Sequence, residues 1–95
     1  MLVLRIKKYW LDKILRGEKI IEYRRICDFY SVRLSKNPDR VMLLCGRNKC
    51  IYEIKKTEIV QSGDLGDFEQ FAIHLGRQIS STVKSLDVLY IPNLS

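Results

Sequence analysis

Residues 9–16 place Trp10, Leu11, Ile14 and Leu15 on one helical stripe, and Gly17 is followed almost at once by the strand-like run Ile20-Ile21-Glu22-Tyr23-Arg24. Apolar residues three and four apart define a helix face, and a glycine after the last of them is the usual C′ residue. This junction constrains the fold more than any other segment. The chain must mix α and β structure, with a helix docked by one stripe beside the first strands of a sheet. It is also chemically unusual, because Lys19, Glu22 and Arg24 crowd the start of a strand. Rigid elements on both sides would hold three ionisable side chains in fixed relation, as a binding or catalytic site requires.

The remaining pattern fills in around that junction. Leu2, Leu4 and Ile6 alternate with Val3, Arg5 and Lys7, predicting a first strand with one apolar face. A helix over about 8–16 and a second strand over 20–24 follow. Residues 25–38 lose periodicity and run into the turn-rich Ser35-Lys36-Asn37-Pro38-Asp39, with a helical turn expected around 29–34. Val41-Met42-Leu43-Leu44-Cys45 reads as a buried strand, joined through Gly46 to Lys49 to a long strand over about 50–60. Lys55-Lys56 in the middle of that strand suggest a bend or bulge.

Residues 61–66 are a loop. Asp67 and Gln70 have capping-box spacing, and Phe68, Phe71, Ala72 and Leu75 fall at i, i+3, i+4 and i+7. A second helix closed by Gly76 is therefore expected, with His74 at the edge of its stripe as a solvated or capping residue. A last strand over 85–91 stops at Pro92. The predicted fold class is α+β: one domain over 1–95, a mixed sheet or small barrel of about five to six strands with two helices packed on it.

A chain of 95 residues has room for one core and one cleft. No segment approaches the roughly 18 apolar residues that span a bilayer, and Arg5 brings charge too early for a secretory signal. The expectation is a cytoplasmic domain with no membrane partner. The three cysteines include no CxxC pair, which fits a reducing compartment. Cys45 and Cys50 flank the hairpin tip and could face each other, but no disulfide is expected. With His74 the only histidine, no zinc site, and more generally no metal or cofactor, is expected.

Charge is lopsided. Residues 1–56 hold 15 Lys/Arg against 6 Asp/Glu, or +9, whereas residues 57–95 hold 2 against 5, or −3. A one-sided positive field attracts polyanions, nucleic acid first among them, by steering and counterion release. Aromatic residues interleave with the basic ones at Tyr9-Trp10, Tyr23 and Phe29-Tyr30. Trp10 and Tyr23 are expected in the core, leaving Tyr30 and Tyr9 as exposed stacking rings.

The spacing Gly17-x-Lys19-x-x-Glu22-x-Arg24 closely resembles the signature of the ASCH domains, small β-barrels of the PUA-like superfamily. The resemblance extends upstream to Leu4, Ile6, Trp10 and Ile14 and downstream through the later strands. It implies a PUA-like barrel with a cleft beside the motif and an RNA or nucleotide-like ligand, since members are mostly regarded as RNA-binding. Some are enzymes. One branch resembles this chain at Lys19 but hydrolyses acetylated cytidine, with threonine at the position of Glu22 and a glutamate from further along the chain. Glu69, Glu53 or Glu58 could stand for that glutamate here.

Two arrangements are open for the motif itself. Strand alternation groups Glu22 with Arg24 and sets Lys19 with Ile21 and Tyr23 on the other face, so Glu22 and Arg24 could simply pair while Lys19 is solvated. Alternatively, a twist at the Gly17 turn brings Lys19 into the same cleft. In that case Arg24 offers a fork for phosphate or a carbonyl, Glu22 accepts from an exocyclic amine, and Lys19 brings a mobile charge. The predicted ligand-binding residues are then Lys19, Glu22 and Arg24, with Lys7, Lys8, Arg25, Arg33 and Arg40 at phosphates and Tyr30 stacking. An enzyme would use Lys19 as base or nucleophile together with Glu22. Nothing in the pattern specifies an oligomeric state.

Overall fold

The computed structural model describes residues 1–83, which form β1 (Leu2–Arg5), α1 (Lys8–Leu15), β2 (Ile21–Arg25), α2 (Asp28–Leu34), β3 (Arg40–Cys45), β4 (Asn48–Val60) and β5 (Gln70–Ser81). The last strand expected over 85–91 lies outside the described residues. The strands form one five-stranded mixed sheet in the order β1-β3-β4-β5-β2, in which β1 runs parallel to β3 and every other pair is antiparallel. Among the described residues the fold is thus α+β with two helices. No helix among the described residues is long and apolar enough to cross a membrane.

One apolar cluster draws on four strands and both helices. In β1 the alternation buries Leu2 and Leu4 and exposes Val3 and Arg5. Parallel pairing sets Leu2 beside Val41 and Leu4 beside Leu43, both fully buried, and Leu11 and Ile14 of α1 join the same cluster. Each fully buried aliphatic side chain contributes about 1.5–3 kcal/mol, so these residues fix how α1 sits on the sheet. The end of α1 is set locally. Gly17 (φ +77°) donates to Ile14 O at 3.0 Å, and Glu18 N–H reaches Lys13 O at 2.9 Å. That pair of bonds is a Schellman closure, which needs the left-handed conformation that glycine adopts without strain.

The segment expected as a second helix is instead β5. It lies between β4 and β2 with ladder bonds on both sides, and Gln70, Phe71, Ala72 and Ile73 are buried in succession. Continuous burial on both faces gives a run without alternation, which helix spacing matches equally well. The capping-box partner Gln70 reaches back as such a residue would, but it grips the carbonyls of Gly66 and Phe68 in a loop that enters a strand. Gly76, expected to end the helix, lies within β5, where an added Cβ would stand 3.3 Å from Glu53 Cβ. The helix that does form second is α2, where only a turn was expected, and it buries Leu34.

The bend expected in β4 is present as register shifts between Ile51 and Lys56. The sheet curls so that its two edges approach each other. Arg24 of β2 donates through Nη2 to the carbonyl of Arg5, at the end of β1, at 2.8 Å. A side chain, rather than a ladder, bridges the edges of this half-barrel.

Candidate functional site

Lys19 leaves the Schellman turn with its own N–H on Lys13 O at 3.2 Å. Its side chain then passes between two rings, with Nζ 5.0 Å from the centre of Trp10 and 5.2 Å from that of Tyr23. Nζ ends 2.7 Å from Asp64 Oδ2 and 3.5 Å from Glu22 Oε1, and the side chain is only 8% exposed. Strand alternation does not govern Lys19, because β2 begins at Ile21. Of the two arrangements left open above, the pairing of Glu22 with Arg24 is kept from the first, but Lys19 is not solvated: it turns into the same cleft, as in the second.

Glu22 is buried and held chiefly through one oxygen. Its Oε2 accepts from Arg24 Nε at 3.0 Å and Nη2 at 2.7 Å, while the guanidinium also donates through Nη1 to Tyr30 Oη at 3.0 Å. A buried carboxylate is tolerable only with such pairing, and the two-point fork gives the pair a fixed geometry.

These side chains border a cleft of about 420 Å³ lined by Arg5, Ile6, Lys7, Trp10, Lys19, Glu22, Tyr23, Arg24, Arg25, Tyr30, Asp64 and Leu65. That volume lies within the range of ligand pockets. The wall opposite β2 is the 63–66 turn. Gly63 and Gly66 bond each other in both directions, at 3.1 and 3.0 Å, and present Asp64 and Leu65 at the tip. Gln70, fully buried, holds the turn from behind: its Oε1 accepts from Leu65 N at 3.2 Å, and its Nε2 donates to Gly66 O at 2.9 Å and Phe68 O at 2.8 Å. A side chain at Gly63 would strike the Tyr23 ring.

The predicted residues divide around this cleft. Lys7, Arg25 and Tyr30 line it together with Lys19, Glu22 and Arg24. Lys8 turns away to pair with Asp12 at 2.6 Å. Arg33 lies over the Phe29 ring at 3.5 Å and borders an adjoining groove of about 760 Å³ that shares Arg5, Arg24 and Tyr30 with the cleft. Arg40 is exposed opposite Glu53 in the β3–β4 ladder and reaches neither cavity. Trp10 is half-buried and packs against the core, as expected, while also bordering the cleft; Tyr23, expected in the core, lines the cleft, and Lys19 Nζ lies near both rings. Tyr9 is exposed, as expected, but away from the cleft, edge-on to Trp10 at 4.8 Å.

None of the three distal glutamates joins the site. Glu53 holds Arg77 at 3.0 Å, Glu58 meets His74 at 2.6 Å, and Glu69 takes a bond from Gln61 at 3.4 Å. The distal carboxylate at Lys19 is Asp64, a residue of the 61–66 loop that the sequence pattern does not single out. Its one local signal is the pair of glycines bracketing Asp64-Leu65. His74 is a β5 residue, not a helix cap, and its hydrogen bond holds the Glu58 carboxyl below the ordinary range. Burial pushes the Tyr52 phenol up to about 12 and also raises the Cys50 thiol. Cys50 stands opposite Leu43 and Cys45 opposite Asn48, so the hairpin does not set the two cysteines face to face, and all three thiols are free. Among the described residues no group of three or more His, Cys, Asp or Glu comes together in a way that could hold a metal ion. No family model matches the chain, and neither does any curated protein or solved structure.

Proposed function

We propose that the chain is an RNA-binding domain of the ASCH type, its half-barrel a PUA-like one, whose cleft takes a nucleobase while a cationic rim meets the phosphates. One observation carries this: Trp10, Tyr23 and Tyr30 border a cleft in which Arg5, Lys7, Lys19, Arg24 and Arg25 outnumber Glu22 and Asp64. Aromatic faces offer about 1–3 kcal/mol of stacking per base without demanding a sequence. The excess of cations adds counterion release, and the +9 of residues 1–56 supplies a field that steers polyanions toward that side. The likeness to ASCH domains supports the same conclusion, since Lys19, Glu22 and Arg24 meet at one cleft. Three free thiols fit action in the reducing cytoplasm.

Fluorescence anisotropy with a short labelled single-stranded RNA tests the proposal. Binding should weaken steeply with salt, and replacing Lys7 and Arg25 together with alanine should flatten the log–log salt slope by about 1.4, the value for two lost phosphate contacts on a single strand. No binding, or binding indifferent to salt, would sink it.

A hydrolase acting on modified nucleosides, or a nuclease, is the second reading, and the approach of Asp64 to Lys19 at 2.7 Å favours it by supplying a distal carboxylate. Against it, Lys19 Nζ donates toward two carboxylates, whereas a base or nucleophile must present a lone pair. Chromatography of acetylated cytidine and of RNA incubated with the protein separates the two. Product formation that disappears in Lys19→Ala establishes the hydrolase, and unchanged substrate leaves binding alone.

A further inference from the structure

We infer that Asp64, and not Glu22, is the carboxylate that reads the ligand, and that the edge it reads is guanine, presented by a free nucleotide or by an unpaired residue of RNA. The inference rests on the cleft being a nucleotide site. Glu22 has little to offer a ligand: Arg24 takes Oε2 twice, at 3.0 and 2.7 Å, Lys19 faces Oε1 at 3.5 Å, and the side chain is 9% exposed. Asp64 is 43% exposed at the tip of its turn and lines the cleft. Lys19 bonds its Oδ2 at 2.7 Å, and among the described residues Oδ1 has no hydrogen-bond partner.

Taken along the Lys19–Asp64 ion pair, the polar atoms run one donor and then two acceptors: Lys19 Nζ, Asp64 Oδ2 and, beyond it on the same carboxylate, Oδ1. The Watson–Crick edge of guanine is the complement, with the O6 acceptor followed by the N1–H and N2–H donors. An ammonium has three N–H groups, so Lys19 keeps one for O6 after meeting Asp64 and Glu22. A carboxylate oxygen has two lone pairs, so Oδ2 accepts N1–H while still holding Lys19, and Oδ1 accepts from N2. Adenine and cytosine offer one amine beside a ring acceptor and leave one carboxylate oxygen unmatched. Uracil sets a second carbonyl against Oδ1. Hypoxanthine lacks the N2 amine altogether.

The corner is also rigid enough to discriminate. The reciprocal Gly63–Gly66 bonds and the buried Gln70 side chain hold the turn that carries Asp64, so the acceptor pair does not depend on a wandering side-chain support. Trp10, Tyr23 and Tyr30 border the same space and supply stacking surface.

Trp10 is the only tryptophan, and its ring lies 5.0 Å from Lys19 Nζ, so its fluorescence reports occupancy of the cleft. The probes are GMP, IMP, AMP, CMP and UMP, with the oligonucleotides UUGUU and UUUUU. GMP should bind about tenfold more tightly than IMP, within the range that a bidentate base contact provides, and ahead of the other three. UUGUU exceeding UUUUU by a like factor assigns the preference to RNA, and a preference confined to GMP assigns it to the free nucleotide. Asp64→Asn should bring GMP down to the level of IMP while leaving or raising affinity for UMP, because a negative charge has gone from an anion-binding cleft. Equal binding of GMP and IMP, or a guanine preference that survives Asp64→Asn, overturns the inference and leaves RNA binding standing. Absence of any response to nucleotides and RNA alike removes the nucleotide site itself, and the inference with it.

Discussion

On one side of Glu22 the Arg24 guanidinium reaches a carboxylate, a phenol and the Arg5 carbonyl; on the other, Lys19 reaches out to Asp64 at the mouth of the cleft. The two groups belong to one short motif and share a residue, yet their surroundings differ. Arg24 is 16% exposed and ties β2 to β1, the two edges of the sheet, so its partners are all structural. Asp64 is 43% exposed, lines the cleft and keeps one carboxylate oxygen without a hydrogen-bond partner among the described residues. Charge that is fully paired and buried closes a fold, whereas charge with unmet capacity at a rim can meet a ligand.

The comparison breaks most visibly at Arg24. Arg24→Ala strips a buried carboxylate of its principal partner and should cost about 3 kcal/mol, read from the urea midpoint of unfolding. Asp64→Asn should cost less, about 1 kcal/mol in the same measurement, because the asparagine oxygen can still accept from the buried Lys19 and Glu22 still faces it. Similar losses in the two variants would erase the distinction between clasp and rim.

A smaller effect is expected behind the rim. Gln70→Ala removes three hydrogen bonds to the 63–66 turn and should destabilise the protein by about 2 kcal/mol. It should also speed amide exchange at Leu65, whose N–H loses its acceptor. Exchange at Leu65 unchanged from the parent would show that the turn holds itself and that Gln70 is not its anchor.

The smallest effect comes from a pair far from the cleft. The Glu58 carboxyl, held below its ordinary value chiefly by the His74 hydrogen bond, is more acidic folded than unfolded. Its contribution is therefore complete above the unfolded value and fades as pH falls through the folded one. Urea midpoints followed from about pH 6 to about pH 3 should show a shallower acid-side loss in Glu58→Gln than in the parent. Identical acid limbs would mean the exposed pair contributes nothing to stability.

Much of the cleft was legible because its determinants are local. The α1 stripe, the Gly17 turn and the β2 run that follows can be read from neighbours within one or two helical turns, and the Schellman bonds span only residues 13–18. Lys19 was not legible in the same way. Its direction depends on β2 starting at Ile21, which follows from the pairing of Ile21 with His74 in another strand. The same dependence misled the reading of β5, whose apolar spacing satisfies a helix but whose two flanking strands supply ladder bonds that a helix there would forfeit. Asp64 illustrates the limit, since it lies 45 residues from the lysine it holds.

By itself, then, the sequence determined the helix-to-strand junction, three of the four strands of the apolar cluster (β1, β3 and β4, but not β5), the lopsided charge and the gathering of Lys19, Glu22 and Arg24 in one segment. Those features rest on periodicity and on turn chemistry, which act over a few residues. Only the tertiary structure decided that Arg24 closes the sheet, that Lys19 enters the cleft between Trp10 and Tyr23, and that Asp64 meets it there. These are consequences of which strands pair and how the sheet curls, and strand pairing is set by contacts between distant segments that no local pattern encodes.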